Sequence, residues 1–307
     1  CALSQTGFLG YRGVMNIGIT GASGVIGRHL SDLALRRGHE VIAFSRNPRN
    51  PLRAILGCEM RPFSTESTPD VEGCDALVHL AGESVLGVWT AAKKRRIAES
   101  RVEGTRRLTE AIARMKKPLE VLVSASAIGI YQDTGDVPVL ENSTLGEGFL
   151  AQTGKNWEHE ALQAKADRVV LLRTGIVLAK QGGALPLMAR AFRLGLGGRL
   201  GPGTQWMSWI HIDDLARLIL FCIENREVRG PVNGTAPWPV RNAEFTQALA
   251  ARLHRPALIP VPAFALRWLG EFSNELLGSK RVLPGVATEQ GFPFRFPELA
   301  GALADLL

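Results

Sequence analysis

NIGITGASGVIGRHL, from Asn16 to Leu30, joins an apolar run, a glycine-rich turn and an amphipathic run. Gly21, Gly24 and Gly27 stand three residues apart where a predicted strand passes into a predicted helix. In that context the first glycine permits a tight turn, the second lets a pyrophosphate approach the backbone, and the third lets the helix pack on the strand. Phosphate then meets the N–H groups of the helix N-terminus. The stretch predicts a dinucleotide site; the alternative is a turn that holds no ligand.

The rest of the first half alternates short β-rich runs with longer helical ones. This alternation is typical of βαβ units, and uninterrupted apolar runs are typical of strands buried on both faces. We therefore expect an α/β fold with a Rossmann-like, doubly wound parallel sheet and a smaller C-terminal substrate lobe. The predicted strands are Asn16–Thr20, Glu40–Ser45, Glu59–Pro62, Asp75–Ala81, Glu120–Ser124 and Arg168–Thr174, and the helices between them are Val25–Arg37, Thr90–Met115 and Phe149–Ala164.

The regular alternation stops after Thr174, where the chain becomes rich in glycine and proline. We expect residues 1–14 to be an extension, residues 15–175 to form the nucleotide-binding Rossmann domain, and residues 176–307 to form a mixed lobe over the carboxyl ends of the strands. Within that lobe, Asp213–Glu224 is expected to pack back on the Rossmann domain. Further helices are predicted at Asn242–Leu253, near Phe264–Leu269 and after Pro297.

The composition and charge of the chain argue against several classes of function. The chain has 307 residues, a formal charge of +7 and 46% hydrophobic residues. No run of about 18 uncharged apolar residues is present, so no membrane span is expected. The basic residues are spread along the chain with few aromatics between them, which argues against a nucleic-acid partner. The four cysteines lie far apart, which predicts no metal site and a reducing, cytoplasmic location. We expect a monomer or homodimer that takes a small-molecule substrate.

The end of the second predicted strand bears on the choice of cofactor. NAD-binding proteins usually place an acidic residue here, on the ribose 2′-hydroxyl. This chain instead reads VIAFSRNP, with Ser45 able to hydrogen-bond and Arg46 able to pair with a 2′-phosphate. The sequence therefore favours NADP(H) over NAD. The alternative is that Arg46 is an ordinary exposed arginine in a turn.

Several ordered motifs resemble the extended short-chain dehydrogenase/reductase superfamily. They are TGASGVIG, DALVHLAGE, RVEGTRRLTEA, VLVSASAIGIY, VVLLRTGIVL, WIHIDDLA and the late turn GPVNGTAP. Within the superfamily, the chain is similar to an atypical epimerase-like subgroup with a short extra C-terminal domain, at about residues 254–307 here. Its members are usually named nucleoside-diphosphate sugar epimerases on the basis of their fold. The resemblance implies cofactor contacts at Gly21, Ser23, Gly24, Val25, Ile26, Gly27, Ser45, Arg46, Leu80, Ala81, Gly82, Arg101 and Val177, with Arg101 standing where the family has asparagine.

The helix that carries the family's chemistry departs from its pattern. Relatives use a tyrosine that exchanges a proton with the substrate and a lysine four residues later. If Glu158 matches the family's glutamate, Leu150 and Gly154 occupy those two places. A shift by one residue gives Ala151 and Lys155 instead. Neither register contains the tyrosine–lysine pair.

Two hydroxyl groups after the fifth strand remain as catalytic candidates. Ser126 aligns best with the family's serine, which orients the substrate oxygen, and Ser124 is its competitor. Tyr131 is near enough to the expected pocket to donate a proton from another direction. The structural alternatives are a strand-end serine bonded to backbone and a tyrosine that packs against the glycine-rich loop.

Three other groups of residues admit two interpretations each. His79, in an apolar strand, is interpreted as a core histidine rather than a ligand. His211 with Asp213 and Asp214 resembles an acid/base group, but Asp213 is favoured as the N-cap of the following helix. Trp206 and Trp209 could line a ligand pocket or fill the joint with the lobe, and the sequence does not separate these alternatives.

Two functional hypotheses follow. The first is an NADP(H)-binding, epimerase-like oxidoreductase that acts on a small polar substrate without the usual tyrosine–lysine pair. The second is a non-catalytic NADP(H)-binding sensor or partner-binding module.

Overall fold

The computed structural model describes residues 13–46, 57–257, 260–266, 268 and 270–307. Apart from residues 13 and 14, the predicted N-terminal extension lies outside the described residues, as do Leu269 and part of the predicted Phe264–Leu269 helix. The strands are β1 Asn16–Thr20, β2 Glu40–Ser45, β3 Glu59–Pro62, β4 Ala76–His79, β5 Leu119–Ala127, β6 Pro138–Val139, β7 Ala166–Thr174, β8 Ile176–Leu178, β9 Trp206–Met207, β10 Trp209–His211, β11 Gly230–Gly234, β12 Val240–Arg241 and β13 Arg281–Val282.

Helices connect these strands and follow the predicted positions closely in the first half. Thr90 caps the second helix by accepting a hydrogen bond from the backbone N–H of Lys93. The helices are α1 Val25–Arg36, α2 Ala91–Ile112, α3 Phe149–Ala161, α4 Ala184–Arg193, α5 Ile212–Glu224, α6 Asn242–Leu253, α7 Ala263–Leu266, α8 Phe272–Leu277, α9 Gly285–Glu289 and α10 Leu299–Leu306.

The main sheet confirms the expected Rossmann-like topology. Its seven strands are all parallel and run in the order β11-β7-β5-β4-β1-β2-β3. The prediction of six strands was one short, because β11 reads GPVNG and its glycines and proline have low strand propensity. Pro231 is tolerated there because β11 is an edge strand.

Helices cover both faces of this sheet. On one face, α1 and α5 pack against each other and bury an apolar core that includes Leu30 and Leu215. On the other face, α2 and α3 pack together, and Leu108 of α2 joins the core over β4 and β5. A second core, around Trp209 and Phe245, holds together the pieces of the C-terminal lobe. The carboxyl ends of the parallel strands thus form an edge beneath this lobe, where open α/β sheets bind ligands.

The described helices include none that combines the length and apolar character needed to cross a membrane.

Candidate functional site

The glycine-rich turn after β1 forms a cradle that is open because its glycines carry no side chains. Gly21 has φ of +70°, and a Cβ there would lie 2.9 Å from the backbone N of Ala81. A Cβ on Gly27 would lie 2.4 Å from the carbonyl O of Gly21 and 2.7 Å from Cα of Ala22. Only glycine fits either position, since the crowding atoms belong to the backbone. The turn therefore brings β1, α1 and the end of β4 into close contact.

The N-terminus of α1 opens into this cradle without a side chain to cap it. Gly24 is the N-cap residue, and the first helical turn carries no acidic residue. Ser23 and Gly24 are exposed, while Val25 and Ile26 are half-buried. The unpaired N–H groups and the helix dipole make this end of α1 suitable for an anion such as a diphosphate.

The end of β2 contributes a cation near the segment that follows β4. Ser45 is buried and Arg46 is exposed. The pKa of Glu83 is lowered chiefly by the hydrogen bond from Lys93, and the charges of Lys93, Arg96 and Arg46 add to the effect. Arg46 therefore lies within electrostatic reach of the segment that follows β4.

Arg101 brings a second cation to the same edge. Its guanidinium carbon lies 3.5 Å from the position of a Cβ on Gly82, and Leu80 and Ala81 precede that glycine against Gly21. Nη1 donates to the carbonyl oxygens of Glu83 and Ile97, at 3.0 and 3.1 Å. The guanidinium also lies over the ring of Trp157 at 5.1 Å.

No carboxylate of the described residues lies within ion-pair distance of Arg101, and burial lowers its pKa to about 10. The charge of Glu83 acts on Arg101 from beyond ion-pair distance, so the cost of burying this cation is only partly offset unless an anion binds directly. The position of Arg101 therefore fits an anionic ligand that enters the cradle.

The β8 segment closes the cradle from the lobe side. Val177 lies half-buried in β8, and a Cβ on Gly183 would lie 3.6 Å from its carbonyl O. A Cβ on the adjacent Gly182 would lie 2.4 Å from Cγ2 of Val25. The loop after β8 thus packs against the first residue of α1.

His79 and Thr20 fix the end of β4. The Thr20 hydroxyl accepts hydrogen bonds from the backbone N–H groups of Leu80 and Ala81, each at 3.2 Å. Its own proton then points to Nδ1 of His79, at 2.7 Å. Burial lowers the pKa of His79 to about 4, so the ring is neutral near pH 7. Its Nε2 has no hydrogen-bond partner among the described residues.

The two predicted catalytic hydroxyls lie in one buried network. Ser126 donates to Oε1 of Glu158 at 2.6 Å. Arg173 donates from Nη2 to Oε2 of Glu158 at 2.7 Å and from Nη1 to the Tyr131 oxygen at 2.9 Å. The Tyr131 hydroxyl donates to Oδ1 of Asn233 at 2.6 Å. Burial raises the pKa of Tyr131 to about 12, although the hydrogen bond from Arg173 opposes the rise. Both hydroxyls therefore have protein partners, and their catalytic roles stay predictions.

In the first of the two registers, the places of the family's tyrosine and lysine face the turn after β5. A Cβ on Gly129 would lie 3.2 Å from Cδ1 of Leu150. Gly154 is buried, and a Cβ there would lie 3.2 Å from Cβ of Ile130. A lysine at position 154 would thus need this turn to shift.

An ion pair of the C-terminal lobe reaches the same turn and was missed by sequence reasoning. Oε2 of Glu275 lies 3.6 Å from the Cβ position of Gly129, and Nζ of Lys280 lies 3.2 Å from that oxygen. Neither residue belongs to a motif, and only the folding of α8 over the sheet edge places them here. Beside them, Trp89 contacts the rings of Phe149 and Phe272, with centroids 5.4 and 5.5 Å apart.

The predicted helix cap at Asp213 was wrong. His211 is the N-cap of α5, and its Nδ1 accepts the backbone N–H of Asp213 at 3.0 Å. Asp213 instead lies 3.4 Å from Nε2 of His29. Asp214 accepts the backbone N–H groups of Arg295 and Phe296, both at 2.8 Å. The three residues thus anchor helix α5 and the C-terminal segment.

The two tryptophans that the sequence left open have different surroundings. Trp209 is fully buried in the core of the lobe. Trp206 is half-buried between two guanidinium groups, with Arg241 at 4.4 Å and Arg281 at 4.8 Å from its ring centroid. Trp209 therefore fills the joint with the C-terminal lobe, and the ring of Trp206 stacks with the guanidinium groups of Arg241 and Arg281.

Comparison with known proteins agrees with the motifs. The model of the NAD dependent epimerase/dehydratase family matches residues 17–233, and a domain of unknown function, DUF1731, matches residues 261–306. The epimerase family protein YfhF of Bacillus subtilis is 38% identical over 299 residues, which cover 95% of this chain and 98% of that protein.

Two solved structures are similar over most of this chain. The human epimerase family protein SDR39U1, crystallised with NADPH, is 34% identical with a TM-score of 0.88, and the match covers 95% of this chain and 99% of that one. The nucleoside-diphosphate sugar epimerase of Corynebacterium glutamicum is 34% identical with a TM-score of 0.77, over 95% of this chain and 58% of that one. On these matches, the chain belongs to the NAD dependent epimerase/dehydratase family.

Proposed function

We propose that the chain is an NADP(H)-binding, epimerase-like oxidoreductase that acts on a small polar substrate in the cleft between the sheet and the C-terminal lobe. The observation that supports this most directly is the uncapped N-terminus of α1 in the glycine cradle, together with the Arg101 guanidinium beside Gly82 and with Arg46 directly after β2. Two cations and a helix N-terminus suit a ligand with several phosphates.

The residues present fit NADP(H) better than NAD. Arg46 would pair with the 2′-phosphate, and β2 ends on Ser45 rather than on an acidic residue. The glycine cradle would take the diphosphate, with Arg101 on its far side. When bound, the nicotinamide would supply or accept a hydride. The human relative crystallised with NADPH supports this choice.

Replacing the Arg46 side chain tests the cofactor assignment. Because a charge-assisted hydrogen bond contributes about 1.5–3 kcal/mol, Arg46→Ala should weaken NADPH binding by about 10- to 100-fold and leave NADH binding nearly unchanged. Titration of each nucleotide by fluorescence gives both dissociation constants. Arg36→Ala is the matched control, since Arg36 is exposed on α1 and pairs with Asp32. An equal loss for both nucleotides, or no loss, would contradict the assignment.

A specific observation also favours the second candidate, a non-catalytic NADP(H)-binding sensor. Ser126 and Tyr131 have buried protein partners, and Leu150 occupies the tyrosine place in the first register. NADPH-loaded protein should be mixed with a panel of ketones, aldehydes and nucleotide sugars while absorbance at the NADPH band is followed. Tight binding without oxidation by any compound would favour the sensor, and oxidation by one would favour the enzyme.

A further inference from the structure

Glu275 holds a position that no motif predicts, at the carboxyl end of β5. Helix α8 places Glu275 of the C-terminal lobe beside the turn at Ile128–Ile130. The position that a Cβ on Gly129 would take lies 3.6 Å from Oε2 of Glu275 and 3.2 Å from Cδ1 of Leu150. A carboxylate of the lobe thus stands next to Leu150, which takes the tyrosine place in one of the two registers of α3.

Contacts from the lobe hold this carboxylate in place. Gln205 donates to the carbonyl O of Leu276 at 3.2 Å, and a Cβ on Gly201 would lie 2.9 Å from Cδ2 of Leu277. Lys280 donates to Oε2 of Glu275 at 3.2 Å. Oε1 has no hydrogen-bond partner among the described residues, and the side chain of Glu275 is 29% exposed. One oxygen is therefore held by Lys280, and the other has no hydrogen bond within this partly exposed side chain.

Three other proton-exchanging groups near this edge, Tyr131, Glu158 and His79, are engaged elsewhere. The Tyr131 hydroxyl lies between Arg173 and Asn233, and Glu158 accepts from Arg173 and Ser126. Both Tyr131 and Glu158 are almost wholly buried. His79 is completely buried behind Thr20. Glu275 differs from them in having both solvent access and an unshared carboxylate oxygen.

We propose that Glu275, positioned by Lys280, is the acid/base residue that exchanges a proton with the substrate; this inference rests on the proposed oxidoreductase function. In the oxidation direction, its carboxylate takes the substrate hydroxyl proton while the carbinol carbon gives its hydride to NADP⁺. The O–H and C–H bonds break, a C=O bond and a carboxyl O–H bond form, and the proton then passes to solvent. In the reduction direction, the carboxyl group returns the proton to the carbonyl oxygen as NADPH gives up the hydride.

The decisive measurement compares binding of the two redox forms of the cofactor. The oxidised nicotinamide ring carries a positive charge that the reduced ring lacks, so a nearby carboxylate favours the oxidised form. Glu275→Gln should weaken NADP⁺ binding by about 3- to 10-fold and change NADPH binding by less than about 2-fold. Glu275→Asp, which keeps the charge, should restore most of the NADP⁺ affinity.

Glu271→Gln is the matched control, because Glu271 lies one helical turn earlier and also pairs with a lysine, Lys94, at 2.8 Å. It should leave the ratio of the two affinities unchanged. An unchanged ratio in Glu275→Gln would overturn the inference and leave Glu275 as an anchor of the lobe. Failure of the wild-type chain to bind either nucleotide would instead overturn the proposed function.

A pH profile gives an independent readout once the substrate panel yields a turnover. The wild-type oxidation rate should increase with pH as one carboxyl group loses its proton. Glu275→Gln should lose this pH dependence and should lower the rate by about 10²- to 10⁴-fold. The same pH dependence of the rate in Glu275→Gln as in the wild type would also overturn the inference.

Discussion

Glu158 is the carboxylate around which the buried polar groups beneath α3 are arranged. It accepts two hydrogen bonds from Arg173, at 2.7 and 2.8 Å, and one from Ser126 at 2.6 Å. From sequence, Glu158 served only to mark the register of α3, and Ser126 was predicted to be catalytic. Arg173 lies on β7 and Asn233 on β11, so the network exists only once three strands and a helix have come together. Spacing along the chain could not predict it.

Removal of the Glu158 charge should destabilise the protein strongly. Glu158→Gln leaves the buried Arg173 guanidinium without its counter-charge, which should lower the free energy of unfolding by about 3–5 kcal/mol. Glu160→Gln is the matched control on the same helix, since Glu160 pairs with the half-exposed Arg106 at 2.7 Å. It should cost less than about 1 kcal/mol. Urea unfolding of both variants checks the difference, and equal losses would show that the buried pair contributes no more than the surface pair.

At the scale of elements, the regular first half was readily predicted. In the second half, α6 was predicted at its observed bounds and α5 within one residue, whereas the short strands β8, β9, β10 and β12 were not predicted. The apolar runs of β1 and β2 and the glycine pattern before α1 gave these elements within about one residue of their observed bounds. Helix α5 begins at Ile212 with His211 as its cap, because the histidine ring accepts the backbone N–H of Asp213, the residue that was expected to be the cap. β11 was not predicted because its residues have weak strand propensity. Pairing with β7 at the edge of the sheet makes it a strand nevertheless.

The junction between β1 and α1 should not tolerate even a methyl group. Gly27→Ala places a carbon within 2.4 and 2.7 Å of backbone atoms, so we expect a loss of about 1–3 kcal/mol in the free energy of unfolding and weaker NADPH binding. Gly301→Ala in α10 is the control, because a Cβ there meets nothing within 4 Å. It should stabilise the helix by about 0.5–1 kcal/mol. Thermal unfolding and nucleotide titration distinguish the two variants; a Gly27→Ala protein that matches wild type in both would contradict the close packing.

At the scale of the whole molecule, the motifs identified the family and the Rossmann sheet, whereas the contacts of the lobe escaped prediction. Long-range contacts hold the described parts of the segment 260–281, such as the bridge between Leu200 and Val261 and the hydrogen bond from Gln205 to the carbonyl O of Leu276. Glu275 therefore could not be assigned to the site from sequence. Arg101 was a candidate from the sequence, because it stands in the helix motif where the family has asparagine.

Acid should destabilise the folded protein before its carboxylates titrate. The pKa of His79 is about 4 in the fold against an ordinary value of 6.5, so the unfolded chain binds this proton first as the pH falls. The free energy of unfolding should therefore decline between pH 6.5 and 4, by about 3 kcal/mol for this group. Burial also lowers the pKa of His211, which adds to the decline.

Urea unfolding across this pH range tests the prediction. His79→Gln should flatten the slope, and His159→Gln, which changes an exposed ring, should not. A slope that is the same in all three proteins would show that His79 is not the group responsible.

The place of β11 also bears on how the chain folds during synthesis. The sheet takes its outermost strand from Gly230–Gly234, after the chain has passed through β8, β9 and β10 of the lobe. Until that strand leaves the ribosome, the outer backbone edge of β7 has no partner, and the apolar face beneath α5 is incomplete until α5 emerges shortly before it. Unpaired strand edges and open apolar faces are the surfaces through which nascent chains aggregate. Chaperone dependence should therefore be greatest after β7 has left the ribosome and before Gly230–Gly234 has left it.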